Sequence, residues 1–189
     1  MERELFIVRH GEVLSSKSPM NPVEGLSPNG INQATELGHK FNNIKFNKVF
    51  SSNTKRTIQT AKLVFDGHEP EIIAGLEERD WGDSKFKEWS EIKFVLNQLS
   101  YQERRLYRPN NGESWEDFEH RLIGAFAKLT KEDFDRAALF SHMGVMRALL
   151  PIIAPNDFNR EGLIRVEFEH CEVVRLKEAD SGEWVRIEV

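Results

Sequence analysis

Three polar segments of this sequence carry residue types that suit phosphate chemistry, and each follows a short apolar run. They are Arg9-His10-Gly11-Glu12, residues 51–56 with Arg56, and Ser141-His142-Met143-Gly144. A guanidinium offers forked, permanently charged donors that match phosphate oxygens. An imidazole can donate to phosphate, accept a proton or attack phosphorus. Two arginines and two histidines in such segments predict phosphoryl chemistry without a metal ion.

The runs that precede these segments predict the strands that position them. Residues 5–8, 48–50 and 137–140 are short and largely apolar, as buried strands are. Helical patterns alternate with them, which indicates an α/β three-layer sandwich, a mostly parallel sheet with helices on both faces. Ligands bind such sheets outside the carboxyl ends of the strands. The side chains expected to converge there are Arg9, His10, Arg56 and His142.

Further patterns complete the prediction of the elements. Ser27 before Pro28 marks a helix start, because a capping hydroxyl precedes a proline at the first helical position. The cluster Ser51-Ser52-Asn53 is read as another cap. Apolar residues at helical spacing predict helices within 31–41, 58–65, 92–99, 115–129 and 143–153. Further short strands are predicted at 71–74, 173–176 and 184–187, and residues 85–111 form an excursion from the alternating pattern.

The composition fits a single globular domain over residues 1–189. A second domain could not hold a full-sized core in 189 residues, and 39% hydrophobic residues exclude a largely disordered chain. The charge sum of 26 − 31 = −5 disfavours general binding to nucleic acid. Any bound anion must therefore be held by a local cluster of positive groups.

The single cysteine, Cys171, excludes an intrachain disulfide and a metal site built from several cysteines. A lone thiol is ordinary in a reducing cytosol. We find no signal-peptide core and no apolar stretch near the ~20 residues that a membrane helix needs. These features predict a cytoplasmic protein without a membrane partner.

Several motifs in order resemble those of the histidine phosphatase superfamily, which has the phosphoglycerate mutase-like fold. Phe6-Ile7-Val8-Arg9-His10-Gly11-Glu12 is similar to its signature. The others are Leu26-Ser27-Pro28-Asn29-Gly30, the stretch from Ser51-Ser52 through Arg56 to Gln59-Thr60-Ala61, Leu76-Glu77-Glu78-Arg79-Asp80-Trp81-Gly82, Gly112-Glu113-Ser114, and Ser141-His142-Met143-Gly144 with Val145 and Arg147.

The resemblance implies a role for each site residue. His10 is the implied nucleophile, which forms a phosphohistidine. Arg9, Arg56 and His142 are the implied phosphoryl ligands. Glu78 is the implied general acid and base, with the adjacent Glu77 as the alternative. No metal ion or cofactor is implied.

Three positions depart from the family pattern. Val13 and Ser16 stand where threonine and asparagine are usual, and the loop through Lys17, Pro19 and Pro22 is idiosyncratic. Met143 replaces a glycine after the second histidine. These departures leave the catalytic set intact and concern the substrate, which the motifs do not specify beyond its phosphoryl group.

The remaining polar and aromatic residues are expected to have structural roles. His39, His68, His120 and His170 are assigned to the surface or the fold, and His170 and Cys171 to one strand with opposite orientations. The charge run Glu103-Arg104-Arg105 with Arg108 is read as a solvated helix face, with anion binding by Arg104 or Arg108 as the alternative. The aromatic residues Trp81, Phe86, Trp89, Trp115 and Phe118 are read as core, some of them at the mouth of the pocket.

The function predicted from the sequence is that of a metal-independent phosphatase acting on a small phosphomonoester. One alternative is a phosphoglycerate mutase-type phosphoryl transfer, in which the phosphorylated enzyme is held against water. Another is a non-catalytic module that binds a phosphorylated ligand, which would tolerate loss of His10 or Glu78. A third is a protein phosphohistidine phosphatase, which needs a pocket that residues 85–111 leave open.

Overall fold

The computed structural model describes residues 3–14 and 24–188, and within them the chain forms one six-stranded sheet flanked by helices. The strands are β1 (Glu4–Arg9), β2 (Lys48–Ser51), β3 (Glu71–Ile72), β4 (Arg136–Ser141), β5 (Val173–Glu178) and β6 (Trp184–Ile187). The α-helices are α1 (Pro28–Phe41), α2 (Lys55–Val64), α3 (Trp89–Asn97), α4 (Tyr101–Leu106), α5 (Trp115–Leu129), α6 (Met143–Ile153) and α7 (Arg160–Leu163). A 3₁₀-helix spans Gly82–Phe86.

The strand order β3-β2-β4-β1-β5-β6 brings three carboxyl ends to one edge of the sheet. β1 and β2 both run parallel to β4, so that Arg9 lies opposite Ser141 and Ser51 opposite Phe140. β5 and β6 continue the sheet in the antiparallel sense. The predicted convergence of the three polar segments follows directly from this register.

The residues of β1 alternate between two hydrophobic cores, one on each face of the sheet. Leu5 and Ile7 pack with α5 and α6, whereas Phe6 and Val8 pack with α1 and α2. All four side chains are fully buried, which contributes about 1.5–3 kcal/mol each by the usual transfer values. This double burial explains why the run is continuously apolar, and the predicted three-layer sandwich is confirmed.

The helix start predicted at Ser27 is confirmed, and α5 has a cap that the sequence analysis did not predict. The Ser27 hydroxyl accepts a hydrogen bond from the Gly30 N–H at 3.0 Å, and Pro28 is the first residue of α1. Ser114 and Asp117 form a reciprocal capping box at the start of α5. The cap predicted at residues 51–53 is wrong, because α2 takes Thr54 as its N-cap and Ser51 is the last residue of β2.

Two predictions of strands also need correction. The strand predicted at 71–74 is limited to Glu71–Ile72. His170 and Cys171 do not share a strand: they lie in the turn before β5, and Cys171 has a left-handed backbone with φ of 59°. The apolar pattern that begins at residue 173 holds no information about the turn that precedes it.

The excursion at residues 85–111 folds as α3 and α4 outside the sheet. Ile92 and Leu96 of α3 pack with Trp81 in a small core of their own, which is separate from the two cores that flank the sheet. This arrangement places the excursion over the edge where the strands end.

Candidate active site

A cavity of about 410 Å³ opens where β1, β2 and β4 end. Arg9, His10, Arg56 and Glu78 all line it. His142 lies behind Arg56, fully buried, with its ring centroid 5.3 Å from that of His10. The structure therefore brings together all five predicted site residues.

His10 is held as a neutral imidazole with a lone pair on Nε2. Its Nδ1–H donates to the Gly11 carbonyl at 2.7 Å, because a carbonyl oxygen only accepts. The Arg56 Nε–H donates to Nε2 at 3.2 Å. Burial first, and the Arg56 charge second, hold the pKa of His10 well below its ordinary value of 6.5. The ring is therefore prepared to act as a nucleophile through Nε2.

His142 is neutral for the same reasons and has the opposite tautomer. The Arg56 Nη2 donates to its Nδ1 at 3.2 Å, so the ring proton is on Nε2, which donates to the Ser52 hydroxyl at 2.8 Å. Burial and the Arg56 charge keep the pKa of His142 well below 6.5. Arg56 thus links the two imidazoles, and its own pKa is lowered by burial.

The helix motif around Arg56 joins α2 to the segment that carries His10. The Thr60 hydroxyl donates to the Arg56 carbonyl at 2.7 Å and accepts from the Gly11 N–H at 3.1 Å. The Gln59 side-chain oxygen accepts from the Leu26 N–H at 2.9 Å. The spacing of Arg56, Gln59 and Thr60 therefore serves the relative position of Arg56 and His10.

Glu12 has a structural role although it is part of the first motif. Its carboxylate accepts from the Ser27 hydroxyl at 2.6 Å and from the Asn29 amide at 3.0 Å, at the start of α1. A side chain at Gly11 would meet the Gly30 carbonyl oxygen at 2.6 Å, so the two glycines allow this close approach. The segments 9–12 and 26–30 are therefore held in contact with each other.

The structure places Glu78, and not Glu77, in the cavity. The Glu78 carboxylate accepts from the backbone N–H of Gly144 at 2.9 Å and from that of Arg79 at 2.8 Å. Glu77 turns away, accepts from the Gly75 N–H at 2.9 Å and lies 3.8 Å from Arg121. The preference for Glu78 as the acid is consistent with this placement.

A methyl group at Gly144 should displace the Glu78 carboxylate. An ideal Cβ there would lie 1.9 Å from Glu78 Oε1, the far end of a side chain that can move without unfolding the protein. We expect Gly144→Ala to lower kcat/KM on an alkyl phosphate by about 10–100-fold, since a misplaced catalytic group costs that order of rate.

Gly124→Ala is the matched control for this substitution, because it lies on a helix with nothing within 4 Å of the added methyl. Kinetics and thermal unfolding of both variants provide the test. Unchanged kcat/KM in a folded Gly144→Ala protein would show that the carboxylate position does not matter.

Arg9 is held by the turn that precedes β5. Its Nη1 donates to the Phe168 carbonyl and its Nη2 to His170 Nε2, the latter at 2.9 Å. Its Nε is buried and has no hydrogen-bond partner in the described part of the chain. Burial lowers the pKa of Arg9. A buried donor without a partner is costly, whereas the rest of the Arg9 side chain lines the cavity and can meet an anionic ligand there.

Two further guanidiniums line the cavity, and both are buried. Arg147 is 7% exposed and donates from Nε to the Val166 carbonyl at 2.5 Å, and burial lowers its pKa to about 10. Arg104 is 8% exposed, and its side chain has no hydrogen bond or ion pair within residues 3–14 and 24–188. Burial lowers the pKa of Arg104 as well.

The prediction of a solvated helix face is therefore wrong for Arg104. Arg105 is half-buried as well, and it pairs with Glu116 and Glu119. Arg108 is exposed, pairs with Asp117 and does not line the cavity. Arg147 is part of a predicted motif, and Arg104 is one of the two residues named in the alternative prediction of anion binding. The sequence does not distinguish Arg104 from Arg108, because helix α4 is too short to show a periodicity.

The structure places His170, for which a surface or structural role is predicted, beside the site. Its ring lines the cavity 6.0 Å from that of His10, measured between centroids. His39, His68 and His120 are exposed and lie outside the cavity, as expected.

Tryptophans of the excursion and its neighbours form an apolar wall of the cavity. Trp81, Trp89 and Trp115 line it, whereas Phe86 is exposed and Phe118 is buried in the core. The Arg79 guanidinium stacks on Trp81 at 4.4 Å and donates to two backbone carbonyls. The prediction of a partly aromatic mouth is consistent with this arrangement.

Two of the three departures from the family pattern also line the cavity. Val13 and Met143 contribute apolar surface beside Glu78 and His10. Ser16 lies outside the described residues, as do Lys17, Pro19 and Pro22.

Residues 3–14 and 24–188 contain neither a candidate metal cluster nor a candidate membrane span. No group of three His, Cys, Asp or Glu side chains there is arranged to hold a metal ion. None of the helices in those ranges is long and apolar enough to cross a membrane.

Comparison with known proteins identifies the family. The sequence model of the histidine phosphatase superfamily (branch 1) matches residues 5–188, and the chain belongs to that superfamily. It is 34% identical over 154 residues to human 6-phosphofructo-2-kinase/fructose-2,6-bisphosphatase 4, covering 78% of this chain and 32% of that protein. The chain therefore spans about a third of the length of this bifunctional relative.

Two other similarities agree with this assignment. A broad-specificity phosphatase of Saccharomyces cerevisiae is 32% identical over 160 residues, covering 77% of this chain and 68% of that protein. The structure of a phosphoglycerate mutase from Bacillus anthracis superposes with a TM-score of 0.77 at 19% identity and covers 100% of this chain and 92% of that one. The predicted family and the phosphoglycerate mutase-like fold are confirmed.

Proposed function

We propose that this protein hydrolyses a small phosphomonoester through a phosphohistidine on His10, without a metal ion. The observation that carries the proposal is the state of His10, which lines the cavity as a neutral ring. Its Nδ1–H donates to the Gly11 carbonyl, and its Nε2 lone pair accepts from Arg56. The names of the relatives, which are phosphatases, support the same reaction.

In the first half-reaction, His10 Nε2 attacks phosphorus and the bond from phosphorus to the ester oxygen breaks. Glu78, in its protonated form, gives its proton to the leaving oxygen. The Gly11 carbonyl stays hydrogen-bonded to Nδ1–H and stabilises the positive charge that the phosphorylated ring carries.

In the second half-reaction, a water molecule attacks the phosphorus and the N–P bond breaks. The Glu78 carboxylate takes the proton of that water, which restores the acid, and His10 returns to its neutral state. Product phosphate then leaves, and the cycle is balanced in atoms and charge.

The guanidiniums bind the phosphoryl oxygens and stabilise the charge of the transition state. We assign this role to Arg56, which already contacts the nucleophile, and to Arg9, which lines the cavity beside His10. The resemblance implies His142 as a further phosphoryl ligand, but it is fully buried and does not line the cavity. We therefore assign it an indirect role: it accepts from Arg56 Nη2 and fixes the guanidinium beside His10.

We further propose that the substrate carries a second anionic group, such as a second phosphate. Arg104 and Arg147 are buried guanidiniums on the wall of the same cavity, and Arg104 has no anionic partner within the described part of the chain. A buried charge without a counter-charge is costly unless a ligand compensates it. Fructose-2,6-bisphosphatases among the relatives are named for a substrate of this class.

The cover over the cavity favours a small molecule over a phosphoprotein. Trp89, Lys93, Leu96 and Arg104 of the excursion line the cavity, so a protein phosphohistidine would have to displace them. The intact catalytic set disfavours a non-catalytic binding module. A phosphoglycerate mutase-type transfer uses the same chemistry and stays the alternative. It differs from a phosphatase in that its phosphorylated enzyme resists hydrolysis by water.

Location, domain organisation and partners complete the proposal. Cys171, the only cysteine, is a free thiol whose pKa burial raises to about 12, and an unpaired thiol is typical of the reducing cytoplasm. We propose a cytoplasmic enzyme of one domain over residues 1–189 that binds neither nucleic acid nor membranes.

Removal of the Arg104 charge should affect only substrates with two anionic groups. For Arg104→Gln we expect kcat/KM on a sugar bisphosphate to fall by about 10–100-fold, the value of one or two charge-assisted hydrogen bonds. On p-nitrophenyl phosphate it should change by no more than about twofold. All assays contain a chelator, so that the metal-independent reaction alone is measured.

Arg108→Gln is the matched control, because Arg108 follows α4 by two residues, is exposed and lies outside the cavity. Equal effects of Arg104→Gln on both substrates would refute the second anion site. Loss of wild-type hydrolysis in chelator would refute the metal-independent reaction itself.

A further inference from the structure

His170 lies on the cavity wall, and the mechanism described above gives it no role. It occupies the turn between α7 and β5, half-buried, and its Nε2 is 2.9 Å from Arg9 Nη2. Among the described residues it is the only side chain that hydrogen-bonds to the Arg9 guanidinium. An imidazole in this position therefore acts first on Arg9.

The direction of this hydrogen bond fixes the state of the ring. A guanidinium nitrogen only donates, so Nε2 of His170 accepts and the ring proton is on Nδ1. Burial, followed by the Arg9 charge, lowers the pKa of His170 to about 4. The charged and titratable groups that face the ring are Arg9 and His10 at the end of β1 and Glu12 in the loop that follows. The ring remains an acceptor throughout the neutral range.

The turn that contains His170 holds Arg9 at both its backbone and its side chain. The Arg9 N–H donates to the Glu172 carbonyl, and the Cys171 N–H donates to the Arg9 carbonyl, each at 3.1 Å. Phe168 and His170 each take one N–H of the guanidinium. Because each terminal nitrogen of a guanidinium has two N–H groups, one on Nη1 and one on Nη2 remain for a phosphoryl group while the turn keeps its hold.

We propose that His170 is a positioning residue for phosphoryl transfer, which fixes the Arg9 guanidinium in the orientation from which it binds the phosphoryl group. The proposal rests on the proposed function, in which Arg9 is a phosphoryl ligand. It assigns His170 no contact with the substrate, so its whole effect passes through Arg9.

A double-mutant cycle tests this dependence. We expect His170→Ala to lower kcat/KM for p-nitrophenyl phosphate by about 10–100-fold and to weaken the binding of inorganic phosphate, since a misoriented ligand costs that order. In an Arg9→Ala background the same substitution should change both quantities by no more than about twofold, because the coupled group is gone. His39→Ala, on the exposed face of α1, is the control and should be silent.

The conservative variant His170→Gln adds a readout that a purely structural role would not move. Its amide oxygen reaches the position of Nε2 and can accept from Arg9, so it should restore most of the phosphate affinity at neutral pH. It takes up no proton, whereas His170 loses its acceptor as the pH falls toward about 4. The phosphate affinity of His170→Gln relative to wild type should therefore rise as the pH falls.

Several results would overturn the proposal. Equal losses from His170→Ala with and without Arg9 would mean that His170 acts on the ligand directly or on the fold. A silent His170→Ala, or a ratio of affinities that does not change with pH, would also contradict it. The proposed function fails differently, through a wild-type protein that does not hydrolyse phosphomonoesters, and the phosphate-binding cycle still reports on His170 in that case.

Discussion

Replacement of His10 by alanine should abolish turnover, with a loss of at least about 10⁴-fold in kcat, the order found when a nucleophile is removed from an enzyme. The physical reason is that no other described group in the cavity combines a neutral nitrogen lone pair with a position against Arg56. His142 has its lone pair on Arg56 Nη2 and lies behind it, and the lone pair of His170 faces Arg9.

The measurement pairs kinetics with detection of the intermediate. Wild-type enzyme mixed with substrate and quenched in alkali should carry up to one phosphate per chain, stable to base and labile to acid as a phosphohistidine is. His10→Ala should carry none, and His120→Ala, an exposed histidine of α5, should behave as wild type. Wild type, His10→Ala and His120→Ala are all assayed in chelator and compared by thermal unfolding.

Two results would contradict this mechanism. A folded His10→Ala protein that keeps activity would exclude His10 as the nucleophile. Activity that appears only when divalent metal is added would exclude hydrolysis by the side chains alone. A phosphoenzyme that forms but resists water for many turnover times would favour the mutase alternative over the phosphatase.

The parts of the site that follow strands could be predicted from the sequence. The doubly buried strand β1 is continuously apolar, and so are the central residues of β4, which makes both visible without a structure. The parallel register then forces Arg9 and His142 to the same edge of the sheet. The motif around Arg56 completes the set because its residues serve the contact of α2 with Gly11.

The residues whose place in the cavity the sequence does not establish, Arg104 and His170, lie on elements whose position depends on tertiary packing. Arg104 belongs to the six-residue helix α4, and neither its burial nor its direction follows from local sequence. His170 lies in a turn whose left-handed residue, Cys171, is not a glycine, so no turn signal marks it. Sequence patterns report the packing of long elements on the sheet, and the walls of this cavity are built from short ones.

The choice between Glu77 and Glu78 also depends on tertiary packing. Their types are identical and their positions adjacent, so composition cannot distinguish them. The structure distinguishes them by their partners. The backbone N–H of Gly144, at the start of α6, donates to the Glu78 carboxylate at 2.9 Å, whereas Arg121 lies on the Glu77 side. Gly144 is 66 positions from Glu78 in the sequence, and Arg121 is 44 positions from Glu77. Only the folded chain brings each of these pairs together.

Replacement of Glu78 by glutamine should make the reaction depend on the leaving group. The side chain keeps its size but has no proton to donate, so kcat/KM on an alkyl phosphate should fall by about 10²–10⁴-fold, the usual value of general acid catalysis. On p-nitrophenyl phosphate, whose leaving group departs as a stable anion, the loss in kcat/KM should be much smaller. Glu77→Gln is the control and should change either value by no more than about twofold.

The second half-reaction provides an independent test of the role of Glu78. Without Glu78 to take the proton of the attacking water, hydrolysis of the phosphohistidine becomes slower than its formation from p-nitrophenyl phosphate. The variant should therefore release about one equivalent of nitrophenolate in a burst, which wild type should not show, and should carry more phosphorylated His10 during turnover than wild type does. Equal losses in kcat/KM on both substrates, with no burst, would mean that the acid and base is a different residue.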